Sequence, residues 1–196
     1  MSLSETTDPV SRPGRGHPSP MMFVSLGIGA AIAIALIVVV SVLTGGTVKN
    51  ATTPPPALVG TTLPAISGAS LSGATVTGPW TAHHATVVVF FASWCGPCRS
   101  ELPALSKYLA AHSLGKVSVL GVDTQDTRAS GQNVVRTDHL NFPVLFDPSS
   151  TVAAGKFQLA GLPDTVFVSA QGVVKSVHVG AISTAEFAAG VSALNA

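Results

Sequence analysis

The chain has 196 residues, of which 46% are hydrophobic and 10% charged, with a formal net charge of +1 and a mean hydropathy of +0.50. That near-neutral balance, without a run of Lys and Arg, excludes a polyanion-binding surface, so no nucleic-acid partner is expected. The hydropathy is high for a wholly soluble protein and points to a segment that meets lipid.

Residues 1–20, including SRPGRGHPSP, combine Pro, Gly and Ser without apolar periodicity and read as a disordered tail. Residues 21–43, MMFVSLGIGAAIAIALIVVVSVL, carry no charge. At about 1.5 Å per residue this run spans roughly 35 Å as a helix, enough for a hydrocarbon core of about 30 Å. A cleaved secretory signal competes with a transmembrane anchor, because Ala-x-Ala patterns occur at Ala31 to Ala33 and Ala33 to Ala35. Those lie in mid-run, and signal cores are usually only about 7 to 15 residues, which favours the uncleaved anchor. Arg12 and Arg15 precede the run and Lys49 follows it, predicting a cytoplasmic N-terminus and an extracytoplasmic remainder in the cell membrane. Residues 44–60, with Pro54, Pro55 and Pro56, read as a stiff linker to a domain over 61–196.

Within that domain TVVVFF, from Thr86 to Phe91, is a continuous β-branched and aromatic run, the pattern of a strand buried on both faces. CGPCRSELPALSKYLAAH then places Leu102, Leu105, Tyr108 and Leu109 at helical spacing, with Pro103 as an internal kink point. KVSVLGVD predicts a second buried strand. Residues 126–140 read as a helix around Val134 and Val135 despite Gly131, followed by a strand in FPVLFD and a short helix over 151–157. DTVFVSA and VVKSVHVGA form a hairpin through Gln171 and Gly172. The last helix starts at the capping box Ser183 to Glu186. This order predicts an α/β domain with a central mixed sheet flanked by helices.

Only two cysteines occur, in FFASWCGPCRSELP. Cys95 follows a strand and opens a helix, and Cys98 lies one turn along the same face. Unpaired N–H groups and the positive end of the helix dipole favour a thiolate at Cys95, the attacking species in disulfide exchange. Cys98, one turn deeper, suits the resolving role. Gly96 permits close approach of a partner, and Pro97 fits a first helical turn. Trp94 can cover the core edge or offer substrate a contact surface. A structural staple over so short a loop gains only about 2 kcal/mol. A zinc half-site needs further ligands, for which only His83 and His84 are near in sequence. The strand-to-helix context favours thiol–disulfide chemistry.

WCGPC after a hydrophobic strand and before a helix with an inner proline resembles the thioredoxin superfamily, and more closely the membrane-anchored TlpA/ResA-like thiol–disulfide oxidoreductases. VLGVDTQD and NFPVLFDPSSTVAAGKFQLAGLPDTVFVSAQGVVKSVHVG follow that family's order, so the resemblance covers most of 61–196. A peroxiredoxin fits less well, because Ala92 stands where its threonine would be. The resemblance implies a thioredoxin-like fold, with Cys95 as nucleophile and Cys98 as resolving thiol. It makes Pro163 a cis-proline facing the site, which frees the Leu162 backbone to pair with an extended substrate. Read from the residues alone, a trans proline at a strand edge is the commoner arrangement.

Two positions depart from the family pattern. Asp164 stands where many members have Thr, and a carboxylate there opposes a Cys95 thiolate unless it turns to solvent. Val89 replaces the buried acid of cytoplasmic thioredoxins. Asp126 falls near an active-site Glu of ResA-like members and is either a proton acceptor or an ordinary acid at a helix start. Arg99, His112, His139 and His178 read as surface or packing residues.

The resulting expectation is an extracytoplasmic, membrane-tethered thiol–disulfide oxidoreductase. Its redox group is the Cys95–Cys98 disulfide itself, with no other cofactor and no metal. Its partners would be exported protein thiols and disulfides, among which the resemblance implies apocytochrome c, and a transmembrane thiol electron carrier. The alternatives are an oxidase that introduces disulfides into exported proteins, or a non-catalytic or zinc-loaded binding module.

Overall fold

Every residue of the first core strand, β3 (Thr86–Phe91), is buried, as its unbroken apolar run demands of a strand covered on both faces. It lies at the centre of a five-stranded sheet in the computed structural model, which describes residues 58–196. The chain order is β1 (Ser67–Ala69), β2 (Thr75–Thr77), β3, α1 (Gly96–Ala111), β4 (Ser118–Thr124), α2 (Arg128–Thr137), β5 (Val144–Asp147), β6 (Asp164–Val168), β7 (Val174–Val179) and α3 (Thr184–Asn195). The sheet runs β5-β4-β3-β6-β7, while β1 and β2 make a separate antiparallel pair. β4 is parallel to β3 and to β5, whereas β6 is antiparallel to β3 and to β7. The sheet is therefore mixed.

Alternation along β3 divides the core. Val87, Val89 and Phe91 pack with Leu102 and Leu105 of α1, Val134 of α2 and Phe187 of α3, together with both cysteines. Val88 and Phe90 face a second cluster with Trp80, Phe157 and Leu159. Phe157 meets Phe90 at 4.8 Å and Trp80 at 6.2 Å between ring centroids, both edge to face.

Two predicted helices differ from expectation. The helix anticipated over 126–140 occupies only Arg128–Thr137, because Thr127 is its N-cap and accepts the Ser130 N–H. Gly131 sits within it for a steric reason. A Cβ there would overlap an Asp123 carboxyl oxygen. Residues 151–157 form successive turns instead of a helix. The buried Asp147 carboxylate takes the N–H groups of Val152 and Ala153, and the Gly155 and Phe157 amides reach back five residues to Ser150 and Val152. By contrast, the capping box at Ser183 is present in full and starts α3.

The last residues read as linker belong to the fold: Leu58 is buried, and the Gly60 N–H bonds the Val174 carbonyl. Among the described residues no helix is long and apolar enough to cross a membrane. The tail at 1–20, the apolar run at 21–43 and the linker up to residue 57 lie outside the described residues.

Candidate functional site

The site is built where β3 ends and α1 begins. Cys95 is the N-cap of α1, and its Sγ accepts the Cys98 N–H at 3.2 Å. A sulfur thus takes the capping role usually filled by an oxygen, and it meets one of the orphan amides of the first turn. Pro97 lies in that first turn, where its missing N–H costs nothing. Nothing lies within 4 Å of where a Cβ would stand on Gly96, so the approach to Cys95 is open on that side. The two cysteines are joined in a disulfide with Cα atoms 5.3 Å apart. Cys98 is fully enclosed, while Cys95 keeps a sliver of exposure. Cys95 is thus the more accessible of the two sulfurs.

The turn ahead of Cys95 is held by the loop after β4. Asp126 accepts the Ser93 N–H at 2.6 Å and the Ser93 hydroxyl at 2.9 Å, and also the Thr127 N–H at 2.7 Å. The Trp94 indole N–H donates to the Gln125 carbonyl at 2.9 Å, which fixes a ring that is 59% exposed. Thr127 is the N-cap of the following helix, and the Asp126 side chain clamps the redox turn through Ser93. Trp94, Gln125, Leu159, Gly161 and Leu162 line a small cleft of about 120 Å³ beside the turn. The Leu162–Pro163 bond is cis. A larger cavity of about 640 Å³, with His83, His84 and Lys116, adjoins Ala85 and Ser118 at the opposite end of β3 and β4, away from the cysteines.

Asp164 does not turn to solvent. It is buried on β6, where it accepts the Gly180 N–H at 3.3 Å. Burial pushes its carboxyl up to about 6, against the lowering effects of the Gly180 amide and of His178. Arg99 is not a freely solvated cation either, because it pairs with the buried Asp138 at 3.4 Å and ties α1 to the end of α2. His112 stacks on Tyr108, and His178 bonds the Ala181 carbonyl, both local packing roles.

Two buried acids escaped the sequence reading. Glu101 follows Cys98 by one helical turn on the same side of α1, and one of its oxygens accepts the Ile182 N–H at 2.9 Å while the other has no partner. Burial raises its carboxyl to about 7, the Ile182 amide opposes the rise, and the nearby Asp164 charge adds to it. The spacing was a usable signal, since position 101 lies on the apolar stripe of Cys98, Leu102 and Leu105. Asp123 is the second. It pairs in register with Phe91, on the cysteine-bearing side of the sheet, and is fully enclosed. Burial, then the charge of Asp126 and a hydrogen bond to it, push its carboxyl up to about 8. Two carboxylates cannot bond each other, and neither Asp123 oxygen finds a donor; once protonated, Asp123 can donate to Asp126.

Known proteins are similar to this chain. The AhpC/TSA family model matches residues 59–177, more than half of the chain. The thioredoxin-like protein YneN of Bacillus subtilis is 32% identical over 100 residues, 50% of this chain and 57% of the relative. The thiol–disulfide oxidoreductase ResA of Bacillus cereus is 25% identical over 91 residues, 46% of this chain and 52% of the relative. This chain thus spans about half the length of the curated relatives it matches. A crystal structure of a secreted Mycobacterium tuberculosis disulfide oxidoreductase homologous to Escherichia coli DsbE superposes with a TM-score of 0.58 at 29% identity. That superposition covers 66% of this chain and 96% of the other. With a mixed central sheet, a disulfide at the head of α1 and relatives that are thiol–disulfide oxidoreductases, the chain belongs to the AhpC/TSA family and has the thioredoxin-like fold.

Proposed function

We propose that this protein is an extracytoplasmic, membrane-tethered thiol–disulfide oxidoreductase that reduces disulfides of exported proteins. The observation that carries the reaction class is the cysteine pair itself: Cys95 caps α1, and the enclosed Cys98 directs its N–H at the Cys95 sulfur. In the reduced protein that amide stabilises negative charge on Cys95. The Cys95 thiolate attacks one sulfur of a substrate disulfide, forming a mixed disulfide and expelling the other substrate sulfur as a thiolate. Cys98, losing its proton, attacks the Cys95 sulfur; the Cys95–Cys98 disulfide forms, and the second substrate thiol leaves. Two electrons pass to the substrate, and an external dithiol must return them.

Glu101, buried one turn beyond Cys98 with one oxygen unpartnered and its carboxyl raised to about 7, is suited to take the Cys98 proton near neutral pH. Trp94 and the cleft beside the Leu162–Pro163 bond offer substrate an apolar contact and a backbone edge. Export and tethering rest on the uncharged run at 21–43 with Arg12 and Arg15 ahead of it, and export gains support from the similar structure described as that of a secreted protein. Haem-binding cysteines of apocytochrome c are one substrate class compatible with this setting. The donor would be a transmembrane thiol carrier.

The test is insulin-disulfide reduction by the full chain. Cys95→Ser should abolish it with the fold intact by circular dichroism, and Cys98→Ser should accumulate the mixed disulfide. Equal inactivity of wild type and Cys95→Ser across several thiol substrates, with stoichiometric zinc bound, would replace this reading with that of a binding module.

A further inference from the structure

The proposed reaction needs the Cys95 sulfur held in one place, yet the two residues ahead of it belong to neither β3 nor α1. Ala92 to Cys95 is a tight turn, closed by the Cys95 N–H on the Ala92 carbonyl at 3.2 Å, with Ser93 and Trp94 at its centre. The hydrogen bonds that tie those two residues to the rest of the fold go to one loop, between β4 and α2. The Ser93 N–H and hydroxyl reach the two Asp126 carboxyl oxygens at 2.6 and 2.9 Å, and the Trp94 indole N–H reaches the Gln125 carbonyl at 2.9 Å. The loop is itself fixed at both ends. The Gln125 N–H bonds the Asp147 carbonyl of β5 at 3.1 Å, and Thr127 donates its N–H to Asp126 at 2.7 Å while capping α2. Gln125 grips the turn with its backbone alone, so the part of the grip written in a side chain is Asp126.

We propose that Asp126 is a positioning residue for Cys95: through Ser93 it fixes the Ala92–Cys95 turn so that the Cys95 sulfur meets, in line for attack, a protein disulfide lying in the adjoining cleft. This role rests on the disulfide-exchange reading. Asp126 acts through the turn, since its hydrogen bonds go to Ser93 and Thr127 and none to a sulfur. Both of its oxygens are engaged by these donors, the state of a fixed clamp. The cleft gives the clamp its purpose. Trp94, Gln125 and Leu162 line it, so the loop that grips the turn is also a wall against which substrate lies. Substrate and attacking sulfur are thereby referred to one element, itself pinned to β5 and α2. A thiolate must approach along the axis of the bond it breaks, and small misplacements of a reacting group cost rate out of proportion to their size. Releasing Ser93 therefore lowers the rate of attack without changing how much thiolate is present.

The experiment compares full-length wild type, Asp126→Asn, Ser93→Ala and the double variant in the reduced state. Asn has nearly the shape of Asp, but whichever way its amide sits, an NH2 group faces the N–H of Ser93 or of Thr127, and the clamp loses a backbone donor. The single-turnover rate of insulin reduction at saturating insulin should fall roughly tenfold in Asp126→Asn, with the half-saturating concentration little changed. Alkylation of Cys95 by iodoacetamide, a small reagent that needs no fixed approach, should keep its rate. Ser93→Ala retains the backbone bond and loses the hydroxyl one, so its rate should lie between the two. The losses should not add in the double variant, because both act on one contact. Hydrogen exchange at the Ser93 amide, protected in wild type, should quicken in Asp126→Asn. An unchanged insulin rate in Asp126→Asn would overturn the proposal. So would alkylation slowed as much as insulin reduction, which would place the effect of Asp126 on thiolate formation, or full additivity in the double variant. If Asp126→Asn fails to fold, Ser93→Ala decides, and an unchanged insulin rate in that variant would overturn the proposal. Inactivity of the wild type itself on insulin and other protein disulfides would instead remove the oxidoreductase reading on which the proposal rests.

Discussion

Replacing Glu101 by Gln tests whether the acid behind Cys98 is held at a cost. The folded chain keeps the Glu101 proton up to about pH 7, whereas an ordinary glutamate releases it near 4.5. Between those values the native state binds more protons than the unfolded one, so stability falls as pH rises and the loss is complete above the window. At about 1.4 kcal/mol for each pH unit, this side chain alone makes the fold about 3 kcal/mol less stable at pH 8 than at pH 4. Gln keeps an oxygen for the Ile182 N–H and cannot ionise. Like the protonated acid, it leaves a donor without a partner at the second oxygen, so the two proteins should be of similar stability at the acid end. Urea unfolding of the oxidised full chain across pH 4 to 8 should therefore show curves that diverge as pH rises. Glu101→Gln becomes the more stable protein by pH 8, with the difference between them changing by about 3 kcal/mol. A difference that stays constant with pH would refute the reasoning, because it would mean that Glu101 ionises normally inside the fold. In the reduced protein the same variant should resolve the mixed disulfide roughly a hundredfold more slowly, the usual scale of a lost proton acceptor.

Other substitutions probe neighbouring parts of the account. Gly131→Ala drives a methyl group into the Asp123 carboxyl and should cost about 1 to 3 kcal/mol in chemical unfolding; no loss would mean that α2 shifts freely off β4. Ser183→Ala removes the α3 cap and should cost about 1 kcal/mol without changing insulin reduction, since the cap lies at the start of another helix. Trp94→Ala, at an exposed position, should leave stability within about 0.5 kcal/mol while raising KM for protein disulfides more than it lowers kcat. An unchanged KM would remove Trp94 from the substrate surface.

The parts of the fold legible in the sequence were those with a local cause. TVVVFF states its own burial, the Ser183 to Glu186 box states a helix start, and Gln171 with Gly172 states a turn that the structure completes with Gly172 at φ +78°. The cysteine pair was legible too, because a strand, a capping position and a proline in the first turn all point to the same place. What was not legible depends on distant residues. Thr151 to Phe157 has the composition of a short helix, yet the Gly155 and Phe157 amides reach back five residues, to the Ser150 and Val152 carbonyls, and the segment stays in turns. Gly131 looked like a weak point in a helix and is there to admit a carboxyl from β4. Val89 stands on β3 at the position where cytoplasmic thioredoxins keep a buried acid. The acids of this chain enter the same core from α1 and β4, at Glu101 and Asp123. Asp126 was identified as a residue of interest, but its partner is Ser93, separated from it by 33 positions and brought beside it by the parallel pairing of β3 with β4.

The most direct test of the central claim is the reduction potential of the Cys95–Cys98 couple in the full chain, equilibrated in defined dithiothreitol and glutathione buffers. A protein that reduces exported disulfides and is recharged by a thiol carrier should show a value near that of thioredoxin, about −270 mV. A value near −120 mV would contradict the proposed direction of electron flow and assign the protein to disulfide formation.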